Sequence, residues 1–124
     1  LRLLPDTHAV LWLMEDNPAL SVRARVLLES GRHEVLISAV VAWEIALKSS
    51  LGKLDVIGDP IALMLSGGAV ELPITIEHAA VVKTLPFHHK DPFDRLLIAQ
   101  AQVENAVVLS VDTVFDAYGV RRRW

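Results

Sequence analysis

Four carboxylates in this 124-residue chain stand close to where an apolar run gives way to a helix: Asp6, Glu44, Asp94 and Asp112. Asp6 and Asp112 directly follow predicted strands. Asp94 falls in the first turn of the helix that feeds the last apolar strand, and Glu44 lies one or two turns into the helix after the second strand. The carboxyl ends of strands in an open parallel sheet form its binding crevice, so all four acids are expected in one crevice. Two carboxylates about 4 Å apart repel by about 4 kcal/mol at an effective dielectric near 20. A pocket of four must therefore take up protons or bind cations. Oxygen donors without cysteine suit hard ions such as magnesium or manganese. Paired ions about 3.5–4 Å apart activate a water and stabilise the leaving oxygen of an in-line displacement. Each acid also has a local role in prospect: Asp6 and Asp112 as helix caps, Glu44 as a solvated helix residue, and Asp94 folded back onto the amide of Asp91.

The elements that must position these acids are organised around Asp91-Pro92-Phe93-Asp94-Arg95-Leu96-Leu97-Ile98-Ala99-Gln100-Ala101. Pro92 suits the first helical position, where its missing N–H has no partner to lose. Asp91 caps the free amides, and Asp94 sits at the positive end of the helix dipole. Leu97, Ile98 and Ala101 recur at helical spacing and define a buried face.

Upstream, residues 1–5 read as a first strand, with Pro5 removing one ladder donor. A helix follows over 7–15 with Trp12 in the core. Asp16-Asn17-Pro18 is a turn. Ser21 caps a helix to Ser30 that Gly31 stops. Residues 34–38 form a second strand, whose unbroken apolar run fits burial on both faces. The helix bearing Trp43, Glu44 and Lys48 runs to Gly52. Asp59-Pro60 opens a further helix that Gly67-Gly68 closes. Residues 69–74 are a third strand, Thr75 caps a helix over 76–85, and 86–90 are a loop. After the organising helix come a fourth strand at 106–111, a single turn capped by Asp112, and a short fifth strand at 118–121. The alternation β-α-α-β-α-α-β-α-α-β-α-β implies an α/β sandwich with a mainly parallel sheet of four to five strands flanked by helices. No internal repeat or linker interrupts it, so residues 1–124 are expected to be a single domain.

Composition narrows the function. The chain is 52% hydrophobic and lacks cysteine, which removes disulfides and thiolate chemistry and is compatible with a reducing cytoplasm. No apolar run approaches the roughly 18 residues of a membrane span, and no signal peptide is read. A net charge of −3 argues against simple electrostatic adhesion to nucleic acid. Two divalent ions in the crevice turn that balance to about +1, which attracts a phosphodiester.

Taken together, Asp6-Thr7-His8 with Leu11-Trp12, Val41-Ala42-Trp43-Glu44-Ile45, Asp91 through Ala99, and Ser110-Val111-Asp112 with Phe115 and Tyr118 resemble a PIN-domain ribonuclease of the VapC toxin type. The resemblance spans essentially the whole chain. It implies a PIN-like three-layer sandwich and a magnesium- or manganese-dependent endoribonuclease. It also implies a cognate antitoxin, RNA as substrate, a homodimer and a cytoplasmic location without membrane attachment. Carried over by position, Asp6, Glu44, Asp94 and Asp112 are the catalytic and metal-binding acids, Asp6 and Asp94 the most direct ligands. Thr7 and Ser110 support them, and Asp91 stands at the rim of the site as well as capping its helix. Pro5 departs from the pattern, where an aliphatic residue is usual. It motivates an alternative, a weak or inactive PIN module that binds an antitoxin or nucleic acid without cutting.

Other residues carry secondary expectations. His89 and Lys90 in the loop, together with Arg95, are candidates for substrate phosphate, and Arg95 alternatively pairs with an acid. His8 is read as a packing or supporting residue, Trp43 as core or dimer contact, and Arg121-Arg122-Arg123 as a solvated basic end. A phosphoacceptor receiver domain needs an acidic pair after strand one and a lysine after the last strand, but no lysine follows Lys90. An Asp-x-Asp phosphatase is excluded by His8.

Overall fold

The computed structural model describes residues 1–124 and has the element order that the sequence implies. The strands are β1 (Arg2–Pro5), β2 (Glu34–Ser38), β3 (Val70–Leu72), β4 (Val107–Leu109) and β5 (Arg122–Arg123). The helices are α1 (Thr7–Met14), α2 (Val22–Glu29), α3 (Ala39–Ser50), α4 (Pro60–Ser66), α5 (Ile76–Val82) and α6 (Pro92–Glu104), with a 3-10 helix at Thr113–Tyr118. The sheet order is β3-β2-β1-β4-β5, and every pairing is parallel.

Both sheet faces are covered, as a parallel sheet requires. Leu4 and Val108 join one large apolar cluster with Val41 and Ile45 of α3 and Leu97 and Ile98 of α6. The alternate residues Leu3, Val107 and Leu109 pack on the other face against Leu27 and Leu28 of α2. Strand order reverses between β1 and β4, and such switch points open a crevice at the carboxyl edge.

Pro5 is accommodated without losing the ladder. Leu3↔Val35 is the last register pair between β1 and β2, whereas β1 stays paired with β4 through Pro5↔Leu109. The Asp6 amide donates to the Leu109 carbonyl at 3.0 Å. Successive amides of a strand point to opposite neighbours, so the donor missing from Pro5 lies on the β2 side, past the end of that pairing. The first site carboxylate thus emerges from a strand held in register.

Several boundaries differ from the sequence reading. The fifth strand lies at Arg122–Arg123 and not at 118–121, because Tyr118 completes the 3-10 helix and Gly119 turns the chain at φ 72°. The basic end is therefore a folded edge strand and not a tail: Arg122 forks onto Asp116 at 2.9 and 3.0 Å and donates to the Ser110 carbonyl at 3.1 Å. Helix α5 stops at Val82. Trp12, expected in the core, is half-buried, stacked on His8 and edge-on to Trp124. Trp43 is 49% exposed and meets Phe93 edge-on at 4.7 Å, so it is no core residue.

Candidate metal centre

Asp6 follows β1 and caps α1, accepting from the Ala9 amide at 2.9 Å through Oδ1. It is only 7% exposed. Burial raises its pKa, partly opposed by the Ser110 hydroxyl, the Ala9 amide and His8. Ser110, fully buried after β4, accepts the Asp112 amide at 3.0 Å. Asp112 in turn caps the 3-10 helix through Oδ1 and Val114 N–H at 2.9 Å.

Glu44 sits in the second turn of α3, 8% exposed. Its Oε1 accepts from the Thr7 hydroxyl at 2.5 Å, and its Oε2 pairs with Lys48 Nζ one turn later at 2.5 Å. The bond to Glu44 raises the Lys48 pKa, with smaller contributions from the charges of Asp91 and Asp94. Lys48 was readable as an i,i+4 partner of Glu44, but its place at the crevice was not.

Asp94 lies in the first turn of α6. Asp91 caps that helix by accepting the Asp94 amide at 3.0 Å. The Asp94 carboxylate does not fold back onto the Asp91 amide. Its Oδ2 instead meets His89 Nε2 at 2.7 Å. Burial is the largest cause that pushes the Asp94 pKa up to about 6; Asp91 and Asp6 add to the rise and His89 opposes it.

These side chains line one cleft of about 380 Å³, with Asp6, Thr7, Glu44, Lys48, Asp91, Asp94 and Asp112 on its wall. Ligand-capable atoms of His89, Asp94 and Asp112 lie within 4.8 Å of one another. Capping and convergence hold together: Asp6 and Asp112 each accept a helix amide through Oδ1 and both still line the cleft. The donor set fits a divalent cation: five carboxylates crowd one lysine, and burial, with a smaller contribution from neighbouring acids, makes the charged forms of Asp6 and Asp94 costly without a cation.

Arg95 departs from both expectations for it. It is 6% exposed and donates to the carbonyls of Pro86, His89, Val82 and Leu85 and to the Tyr118 hydroxyl. It pairs with no acid and does not line the cleft. Lys90 is exposed and engages no protein group.

The sequence matches the PIN domain family over residues 3–120. A search of curated proteins returns no significant match. Among solved structures, the chain is similar to VapBC2 from Rickettsia felis bound to a DNA fragment from their promoter, at TM-score 0.73 and 14% identity over 99% of this chain and 98% of that one. It is similar to FitAcB from Neisseria gonorrhoeae at TM-score 0.67 and 21% identity, covering 97% and 95% of the two chains. VapBC-1 from nontypeable Haemophilus influenzae gives TM-score 0.67 and 16% identity over 99% and 97%. Likenesses at these identities speak for the fold.

Proposed function

The chain belongs to the PIN-domain family, and from that premise we propose that it is a divalent-metal-dependent endoribonuclease, the toxin of a toxin–antitoxin pair. One observation carries the reading: four acids delivered by four different elements meet in a single cleft at the switch point of a parallel sheet. Asp6, Glu44, Asp94 and Asp112 are the proposed metal-binding and catalytic residues, and magnesium or manganese the proposed ion. When bound, such an ion supplies charge neutralisation at the phosphate and a water activated for attack at phosphorus.

The protein's own contribution is placement. The Thr7 hydroxyl and Lys48 hold both oxygens of Glu44. Ser110 fixes the backbone that carries Asp112. Asp91 starts α6 so that Asp94 faces the cleft. Similarity to structures named as VapBC and FitAcB supports a cognate antitoxin as partner, and an apolar patch around Trp43 and Leu47 offers surface for a second copy.

Cleavage of a generic RNA in magnesium or manganese tests the reading, with product ends sequenced. Wild-type protein is expected to leave a 5′-phosphate and a 3′-hydroxyl, and chelator or Asp94→Asn to stop it. An Asp94→Asn variant that cuts at the wild-type rate overturns the assignment.

A further inference from the structure

We propose that His89 is a nitrogen ligand of this centre, joining Asp94 and Asp112 in a mixed donor set that favours manganese over magnesium. The inference rests on the metal-centre reading above and adds a residue and an ion preference to it.

The imidazole is close to both acids. His89 Nε2 stands 2.7 Å from Asp94 Oδ2, and the three residues offer ligand atoms within 4.8 Å of one another. Nδ1 is bonded to no protein group, so it can take the ring proton; Nε2 then gives up its one hydrogen bond, to Asp94, and an ion shared by the two residues would stand where that proton was. A neutral imidazole is a common ligand of transition ions and a poor one for magnesium, which holds to oxygen and water.

The second line of support is the loop. Its place at Asp94 is not left to a free surface side chain. The His89 amide donates to the Tyr118 hydroxyl at 2.9 Å, and its carbonyl accepts from Arg95 at 3.3 Å. Both anchoring groups are buried. Arg95 also holds the Pro86 carbonyl at 2.9 Å and lies 4.1 Å over the Phe87 ring, while His88 meets Tyr118 edge-on. A buried guanidinium is costly unless its donors are filled. Here every acceptor but one is a backbone carbonyl, and two of them bracket the segment that ends in His89. Backbone locked on both sides of a ligand is what preorganises a metal site.

The test uses metal-free full-length protein. Free manganese is followed by electron paramagnetic resonance, magnesium by its competition with manganese, and nitrogen ligation by the visible spectrum of the cobalt-loaded protein. His89→Ala is expected to weaken manganese at least about tenfold, change magnesium less than about threefold and alter the cobalt spectrum. Tyr118→Phe, which keeps the ring and removes the anchor, is expected to give a smaller loss of manganese in the same direction. Equal weakening of both ions, or of neither, overturns the proposal. So does an unchanged manganese affinity accompanied by weaker binding of a short RNA, which makes His89 a phosphate contact. Wild-type protein that binds no divalent ion overturns the metal-centre reading with it. Binding that Asp94→Asn abolishes, but with an ion preference that His89→Ala leaves intact, overturns the His89 proposal alone.

Discussion

Thr7, the first residue of α1, donates its hydroxyl to Oε1 of Glu44 in α3 across 37 positions of sequence. The bond ties the helix that follows β1 to the helix that follows β2, and it holds a carboxylate that is almost fully buried. A hydrogen bond to a charged group contributes roughly 1.5–3 kcal/mol. Thr7→Val keeps the shape and removes the donor. It is expected to lower stability by about 1–2 kcal/mol in urea unfolding and to slow RNA cleavage, since Glu44 is then held by Lys48 alone. Cleavage at the wild-type rate in a destabilised Thr7→Val protein would make the bond structural only.

Acid pH is expected to stabilise the metal-free protein locally. Asp94 has a pKa near 6 against an ordinary 3.8, and Asp6 is shifted the same way. A carboxyl whose folded pKa is raised favours the protonated fold. Its penalty is absent below about pH 4, grows as pH rises through 4 to 6, and is complete above that. For Asp94 the shift amounts to about 3 kcal/mol, reduced to roughly 2 for solvent screening because 26% of the side chain is exposed. Asp94→Asn should therefore be more stable than wild type at pH 7.5 and about equal to it at pH 4. Chemical unfolding of both proteins at the two pH values measures this.

The same electrostatics set the response to metal. Cations that relieve the cleft stabilise the fold by about 2.7 kcal/mol at a hundredfold excess over the dissociation constant. Thermal unfolding at pH 8 should shift upward with manganese and return with chelator. At pH 5 the shift should shrink, because a proton then occupies Asp94. An equal shift at both pH values would place the ion elsewhere.

Arg95 gives a stability prediction distinct from catalysis. Replacing it by methionine strips hydrogen bonds from four carbonyls and the Tyr118 hydroxyl. Buried polar groups left unpaired cost roughly 1–3 kcal/mol each, so Arg95→Met should lose at least about 3 kcal/mol. Arg95→Lys should recover only part of that, since an ammonium cannot span the fork. Hydrogen exchange should report opening of residues 85–90 before the sheet.

What could be read from the sequence follows from the range of the forces involved. The element order was legible because Asp-Pro starts, glycine stops and apolar runs are local signals. The meeting of the acids was legible because Asp6, Glu44 and Asp112 stand shortly after strand ends, the Asp91-Pro92 start puts Asp94 at the mouth of the helix that feeds β4, and parallel topology does the rest. The fifth strand was misplaced because Tyr118 and Val120 look like strand residues, while Arg122 and Arg123 form an edge only by pairing with β4. Arg95 was expected at a phosphate or an acid because an arginine next to a site carboxylate near a helix start reads as available for ion pairing. Its carbonyl partners belong to the end of α5 and a loop whose path only tertiary packing decides. The His89–Asp94 contact depends on that same path.

Gln100 links the two helices that carry Glu44 and Asp94, and its loss should be felt at both. Ser38 caps α3 by accepting the Val40 amide at 3.0 Å and hydrogen-bonds Gln100 Oε1 of α6. The Gln100 amide group donates to the Pro73 carbonyl at 3.3 Å and lies 3.3 Å from His78 Nδ1. His78 Nδ1 already accepts the Thr75 amide, so Nε2 carries the proton toward Glu104 at 2.9 Å. Ser38, His78 and Gln100 are all fully buried. Gln100→Leu fills the space but leaves the Ser38 hydroxyl and the Pro73 carbonyl unpaired, at roughly 1–3 kcal/mol each. Because Ser38 starts the helix whose second turn holds Glu44, and Gln100 lies six residues beyond Asp94, the variant should also weaken manganese binding at conditions where it remains folded. Intact metal affinity in a folded Gln100→Leu protein would show that the two helices are held in register by apolar packing alone.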